Sequence, residues 1–121
     1  MPRPIHFELP ADDPERCVRF YTDVFGWTIE KWDGPTEYWL VGTGTDEPGI
    51  DGGIGRRTSR TDGVINTIGV DSVDDCLSRV LRSGGAVVRE KRAVPGVGWL
   101  AYCTDSEGTP FGVMQTDENA R

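Results

Sequence analysis

Ala11-Asp12-Asp13-Pro14-Glu15-Arg16-Cys17-Val18 and, 59 residues further on, Val70-Asp71-Ser72-Val73-Asp74-Asp75-Cys76-Leu77 decide the fold. Each stretch opens with short polar side chains suited to capping a helix and continues with acidic residues that favour a helix N-terminus. Each then places a cysteine and an aliphatic residue where an apolar stripe begins. The same offset lays Gly53-Ile54 over Gly112-Val113. A period near half the chain length means a duplicated module, its copies related by a pseudo-twofold axis.

Outward from the first stretch, residues 5–9 alternate apolar and polar side chains and read as a strand with one dry face. Asp12 or Asp13 caps a helix in which Cys17, Val18, Phe20, Tyr21, Val24 and Phe25 recur at helical spacing until Gly26 ends it. Residues 27–32 form the next strand, Asp33-Gly34 turns the chain, and residues 37–41 complete a hairpin. Residues 42–48 read as loop and 50–56 as a glycine-rich strand. Outward from the second stretch, residues 65–70 are a strand, and Ser72 or Asp71 caps a helix through Leu81 that Gly84-Gly85 stops. Strands follow at 86–90, 99–104 and 111–115, with 92–98 a loop and 105–108 a turn. Both halves thus read strand-helix-strand-strand-strand. The expected organisation is one domain over 1–121: a first module at 4–57, a connector at 58–63 and a second module at 64–116.

The expected class is α+β. A four-stranded sheet with one helix covers one of its faces only, so two βαβββ modules side by side form an open, barrel-like eight-stranded trough with helices outside. Such a concavity suits a small ligand. The chain, 121 residues with 36% hydrophobic and 27% charged side chains, has enough apolar material for a core. Its formal charge of -7, from 13 basic and 20 acidic residues, gives the wrong field for nucleic acid. No membrane-spanning or signal-like run is read, and three cysteines without a CxxC argue against a disulfide framework or structural zinc. A cytoplasmic location with reduced thiols is expected. Lys31 and Lys91 are the only lysines; the excess of acid with scarce lysine fits either adaptation to high salt or a GC-rich composition.

With the modules in place, the residues resemble the vicinal oxygen chelate superfamily, which includes glyoxalases, bleomycin-resistance proteins and extradiol dioxygenases. The resemblance rests on His6-Phe7-Glu8-Leu9 followed by residues 13–16, on Phe20-Tyr21 and Val24-Phe25-Gly26-Trp27, and on Val70-Asp71-Ser72-Val73-Asp74. It is strongest in Asp105-Ser106-Glu107-Gly108-Thr109-Pro110-Phe111, similar to an Asp-Pro-Asp/Glu-Gly-Asn signature with Ser106 and Thr109 as departures. In metal-dependent members, the first and last strands of each module each send one His, Gln or Glu toward a divalent ion. Carried over, those positions are His6, Gly53, Ile65 and Gly112, of which only His6 can coordinate. One imidazole does not hold such an ion against water, so no metal or other cofactor is expected.

Strand alternation puts His6 and Glu8 on one face, where they act as a proton-handling pair on a ligand or His6 simply hydrogen-bonds to a neighbouring strand. Trp39 and Tyr102 are expected to line the trough if they share the parity of His6, and Thr67 to orient a ligand by hydrogen bonding. Trp99 follows Pro95-Gly96-Val97-Gly98, read either as a lid that closes this ring on a ligand or as a plain surface loop. Gly53 and Gly112 leave room and backbone for a larger organic ligand, or mark bulges. Gln115 either orients a ligand or, the preferred reading, sits at a strand end in water; Cys17 and Cys76 are packing thiols, and Cys103 is read as packing with reactivity the alternative. The expected function is that of a glyoxalase/bleomycin-resistance-like, homodimeric protein binding a small organic ligand without the standard metal. The alternatives are a divalent-metal lyase, isomerase or dioxygenase with a ligand set around His6 and Glu8, and a protein-interaction domain with a vestigial trough.

Overall fold

The computed structural model describes residues 2–59 and 63–121. Residues 60–62 of the expected connector lie outside the described residues. The class is α+β, and each half runs strand, helix, three strands. The first half comprises β1 (Arg3–Ala11), α1 (Pro14–Phe25), β2 (Thr28–Lys31), β3 (Tyr38–Gly42) and β4 (Asp51–Arg56). The second comprises β5 (Ile65–Gly69), α2 (Val73–Arg82), β6 (Ala86–Val94), β7 (Gly98–Thr104) and β8 (Pro110–Thr116). The chain forms two compact units: His6–Ile65, and Asn66–Arg121 together with the first residues up to Ile5.

In the unit His6–Ile65 the strands lie in the order β2-β3-β4-β1, antiparallel except for the parallel β4/β1 pair. Of the two capping candidates, Asp13 accepts from the Arg16 backbone N–H at 3.2 Å. Pro14 then supplies a fixed φ at the first helical position. Gly26 ends the helix in the left-handed region at φ 71°, its N–H donating to Thr22 O, a conformation that costs glycine little. Ala11, Trp39, Val41 and Ile54 form the core, with Phe7, Leu9, Cys17, Val18, Tyr21 and Trp27 packed against it. Burial of side chains such as Val41 and Ile54 stabilises the unit by roughly 1.5–3 kcal/mol each. Tyr21 stacks on Trp27 with ring centroids 5.0 Å apart, which ties the helix to the start of β2. These residues set the helix-covered face of the sheet. Their alternating neighbours occupy the other.

The second unit orders its strands β5-β8-β7-β6, with β5/β8 parallel. Ser72 caps α2 by accepting from Asp75 N–H at 3.1 Å, and Gln115 Oε1 accepts from Val73 N–H at 3.0 Å. Gln115 therefore serves the helix start, whereas the sequence suggests a solvent position. Val73, Ala101 and Val113 are the core, joined by Cys76, Leu77, Trp99 and Phe111. The turn at 105–110 is closed by Asp105 Oδ1, which accepts from the backbone N–H groups of Glu107 and Thr109 at 2.8 and 3.0 Å. Ser106 and Thr109 thus leave that turn intact.

One segment departs from expectation. β6 continues to Val94 through Arg89-Glu90-Lys91-Arg92, whose charges suit an edge strand with register shifts better than a loop. What remains between β6 and β7 is a short turn. Val97 N–H donates to Val94 O at 2.9 Å, and Gly96 N–H to Ala120 O at 3.1 Å. With Ala120 fully buried, the C-terminal residues hold this turn.

Candidate functional site

In the unit His6–Ile65 the helix-free face is set by register. His6 pairs with Asp51, Glu8 with Gly53, Leu40 with Gly53 from the other side, and Tyr38 with Gly55. Glu30 pairs with Leu40 and so lies on this face too. The structure thus brings His6, Glu8 and Gly53 together, the first two as alternation implies and Gly53 as the family resemblance implies. It joins to them Tyr38, which the sequence reading missed.

Tyr38 is the centre of the arrangement. Its hydroxyl lies 2.9 Å from His6 Nε2, and its ring stacks toward the imidazole at 25° with centroids 6.4 Å apart. The ring rests along β4. A Cβ added at Gly55 would meet Tyr38 Cδ1 at 3.4 Å, and one added at Gly53 would overlap the Tyr38 hydroxyl, Cζ and Cε2. Trp32 approaches the phenol edge-on at 82°, and its backbone N–H donates to Tyr38 O at 2.8 Å. Burial pushes the His6 imidazole below its ordinary value and is only partly opposed by the carboxylate of Asp51. His6 is therefore neutral at physiological pH. Asp51 is itself anchored, accepting from Thr43 N–H at 2.9 Å.

Trp39 does not share the parity of His6. It is 7% exposed, packs with Val41 and Ile54 under α1, and carries Lys31 Nζ 5.4 Å from its ring centre. The reason is the hairpin register: Trp39 pairs with Ile54, a residue of the helix-covered face.

The second unit repeats part of the pattern. Thr67, 3% exposed, pairs with Gly112, and Tyr102 pairs with Gly112 from β7. A Cβ at Gly112 would sit 3.1 Å from Thr67 Oγ1 and 3.4 Å from Tyr102 Cε1, so these three residues meet on the helix-free face of this unit. Trp99 is not with them. Its ring packs on the core beside Val113, its Nε1–H donates to Asp117 Oδ2 at 3.1 Å, and Lys91 Nζ lies 5.2 Å from its centre.

The cysteines carry no reactive signature: burial raises the thiols of Cys17, Cys76 and Cys103. A cleft of about 380 Å³ at the start of α1 is lined by Arg16, Cys17, Phe20 and Arg57 among others, but Arg57 is paired there with Asp12 at 3.1 Å. None of the expected site residues lines it. As to a divalent ion, Gly53 and Gly112 have no side chain and that of Ile65 carries no donor atom. Among the described residues no three His, Cys, Asp or Glu side chains converge as ligands. The donor set does not fit such an ion.

Comparisons with known proteins agree with this architecture. Residues 3–44 match the family described as bleomycin resistance protein-like N-terminal. No curated protein sequence matches the chain. Among solved structures, a hypothetical protein of Bacillus halodurans C-125 superposes with a TM-score of 0.72 at 16% identity, covering 99% of this chain and 98% of the other. Methylmalonyl-CoA epimerase of Mycobacterium tuberculosis gives 0.71 at 14% identity over 94% and 87% of the two chains. A Streptomyces coelicolor methylmalonyl-CoA epimerase in complex with 2-nitronate-propionyl-CoA gives 0.68 at 16% identity over 98% and 97%. At these identities the likeness is one of fold. With its paired βαβββ units and its bleomycin-resistance-like N-terminal third, the chain has the fold of the vicinal oxygen chelate superfamily.

Proposed function

We propose that this protein binds a small aromatic or apolar organic ligand on the helix-free face of its His6–Ile65 unit, and does so without a divalent cation. The observation that carries this reading is the seating of Tyr38 over Gly53 with its hydroxyl 2.9 Å from His6 Nε2. A phenol fills the space above the strand position where a metal-dependent relative has a ligand side chain. The lone imidazole is engaged by that phenol. Trp32 and the 45%-exposed Leu40 supply flat and apolar contact beside it.

The ligands named for the epimerase structures are coenzyme A thioesters, which are polyanions. The face described here carries Glu8, Glu30 and Asp51, while Lys31 and Arg56 fall on the other side of the sheet by alternation. At 16% identity the likeness to these structures is one of fold, and the epimerase reaction is not carried over.

The test is a thermal-shift screen of tag-free protein against a broad library, paired with elemental analysis. A true ligand present at about 100 times its dissociation constant adds about 2.7 kcal/mol of stability, an increase that should need no added metal. Stoichiometric nickel, zinc, iron or manganese that disappears with His6→Ala would contradict the reading.

A further inference from the structure

We propose that the outer flank of α1 is a self-association surface, and that its occupant is α1 of a second copy of this chain, lying antiparallel to it about a twofold axis at Phe20. The flank is on the helix side of the sheet, away from His6 and Tyr38, so it stands apart from the ligand-binding function.

The helix itself defines the flank. Arg16, Phe20, Asp23 and Val24 follow one another at i, i+4, i+7 and i+8, the spacing of a single stripe. The core instead receives Cys17, Val18 and Tyr21. Phe20 and Val24 are each 55% exposed, and Phe20 is held edge-on to Tyr21 with centroids 5.1 Å apart. The second module supplies a comparison within the same chain. At the offset of 59 residues that aligns the two capped helices, the four positions are Asp75, Arg79, Arg82 and Ser83, all polar and exposed. The fold therefore accepts a solvated stripe here, and the apolar pair on α1 answers to something outside the unit.

Charge says what that is. Among the described residues neither Arg16 nor Asp23 has a salt-bridge partner. They lie seven residues, about 10.5 Å, apart along the axis with Phe20 between them. An antiparallel twofold pair sets Arg16 of each copy against Asp23 of the other and brings the two Phe20 rings together. The stem of each Arg16 then covers Val24 of the other copy. Parallel pairing would set like charges together. A helix pair alone buries less than the roughly 1,200 Å² at which stable interfaces begin, so the pairing is a concentration-dependent equilibrium.

Sedimentation velocity from about 5 μM to about 500 μM protein reads that equilibrium. The sedimentation coefficient should rise with concentration toward that of a dimer. Phe20→Arg, which copies the residue α2 carries at this position, should weaken association at least about 10-fold. Arg16→Asp and Asp23→Arg should each weaken it about 5-fold, and the double variant should recover it. Both charge changes suit the helix dipole, so the monomer keeps its fold, which a thermal melt at low concentration checks. A single species at every concentration, or association that Phe20→Arg leaves intact, would overturn the inference. A double variant no tighter than the single ones would overturn it too, because the antiparallel pair requires the exchanged charges to meet again.

Discussion

Tyr38 and Trp39 are neighbours in the chain, and which of the two faces a ligand turns on one step of strand register. The sequence places His6 and Glu8 correctly on one face, because alternation within a short strand needs no partner. It misassigns Trp39 because the parity of β3 depends on how the 43–50 connection sets Trp39 opposite Ile54, and a one-residue slip exchanges every side chain between faces. The usable signal was Gly53-Ile54 itself: the residue opposite the aliphatic one had to be the buried one. His6 yields a prediction at this scale. Burial holds its folded-state pKa below 6.5, so the unfolded chain binds the proton more readily. Its stabilising contribution is present above pH 6.5 and is lost as pH falls through the lower folded value. Urea unfolding at stepped pH should show this loss, and His6→Gln should remove that part of the pH dependence. A native stability that rose on acidification through this window would be inconsistent with a buried neutral imidazole. Cys103, fully buried with its thiol raised, should react with a thiol reagent only after denaturant is added.

At the scale of elements, both helices start where the duplicated stretches predict, since caps are local chemistry. Structure chooses between adjacent candidates: Asp13 over Asp12, and Ser72 over Asp71. Ser72→Ala should cost about 1 kcal/mol in denaturant unfolding, the usual value of such a cap. The partnership of Gln115 with Val73 N–H, 42 residues apart, was not legible because nothing local records it. Gln115→Leu should therefore destabilise, by about 1 kcal/mol or more, rather than act as a neutral surface change. β6 extends beyond what composition suggests for the converse reason: a run of four charged residues looks like loop, yet an edge strand accepts it. The two lysines carry a correspondence that composition does not show. Lys31 over Trp39 and Lys91 over Trp99 repeat one cation–aromatic contact at corresponding places in the two modules. The duplication thus extends to side-chain pairs that no strand-by-strand reading would link.

For the whole molecule, class and module order followed from a period of 59 residues, because repetition survives where individual strand limits blur. Function did not follow in the same way, since one fold hosts unrelated chemistries and the deciding contact joins residues 32 positions apart. The charge of -7 carries a prediction at this scale. Raising salt from about 10 mM to about 150 mM shortens the screening length from about 30 Å to about 8 Å and should raise Tm by relieving self-repulsion; a fall in Tm would show that attractive pairs dominate instead. The most direct test of a phenol-and-imidazole site in place of a cation site is a titration of tag-free protein with a hit of the thermal-shift screen, in EDTA and again with one equivalent of manganese or zinc. Saturable shifts of the His6 and Tyr38 resonances should appear in EDTA and be unaltered by the metal. Shifts that appear only with the metal, and vanish in His6→Ala, would contradict the account.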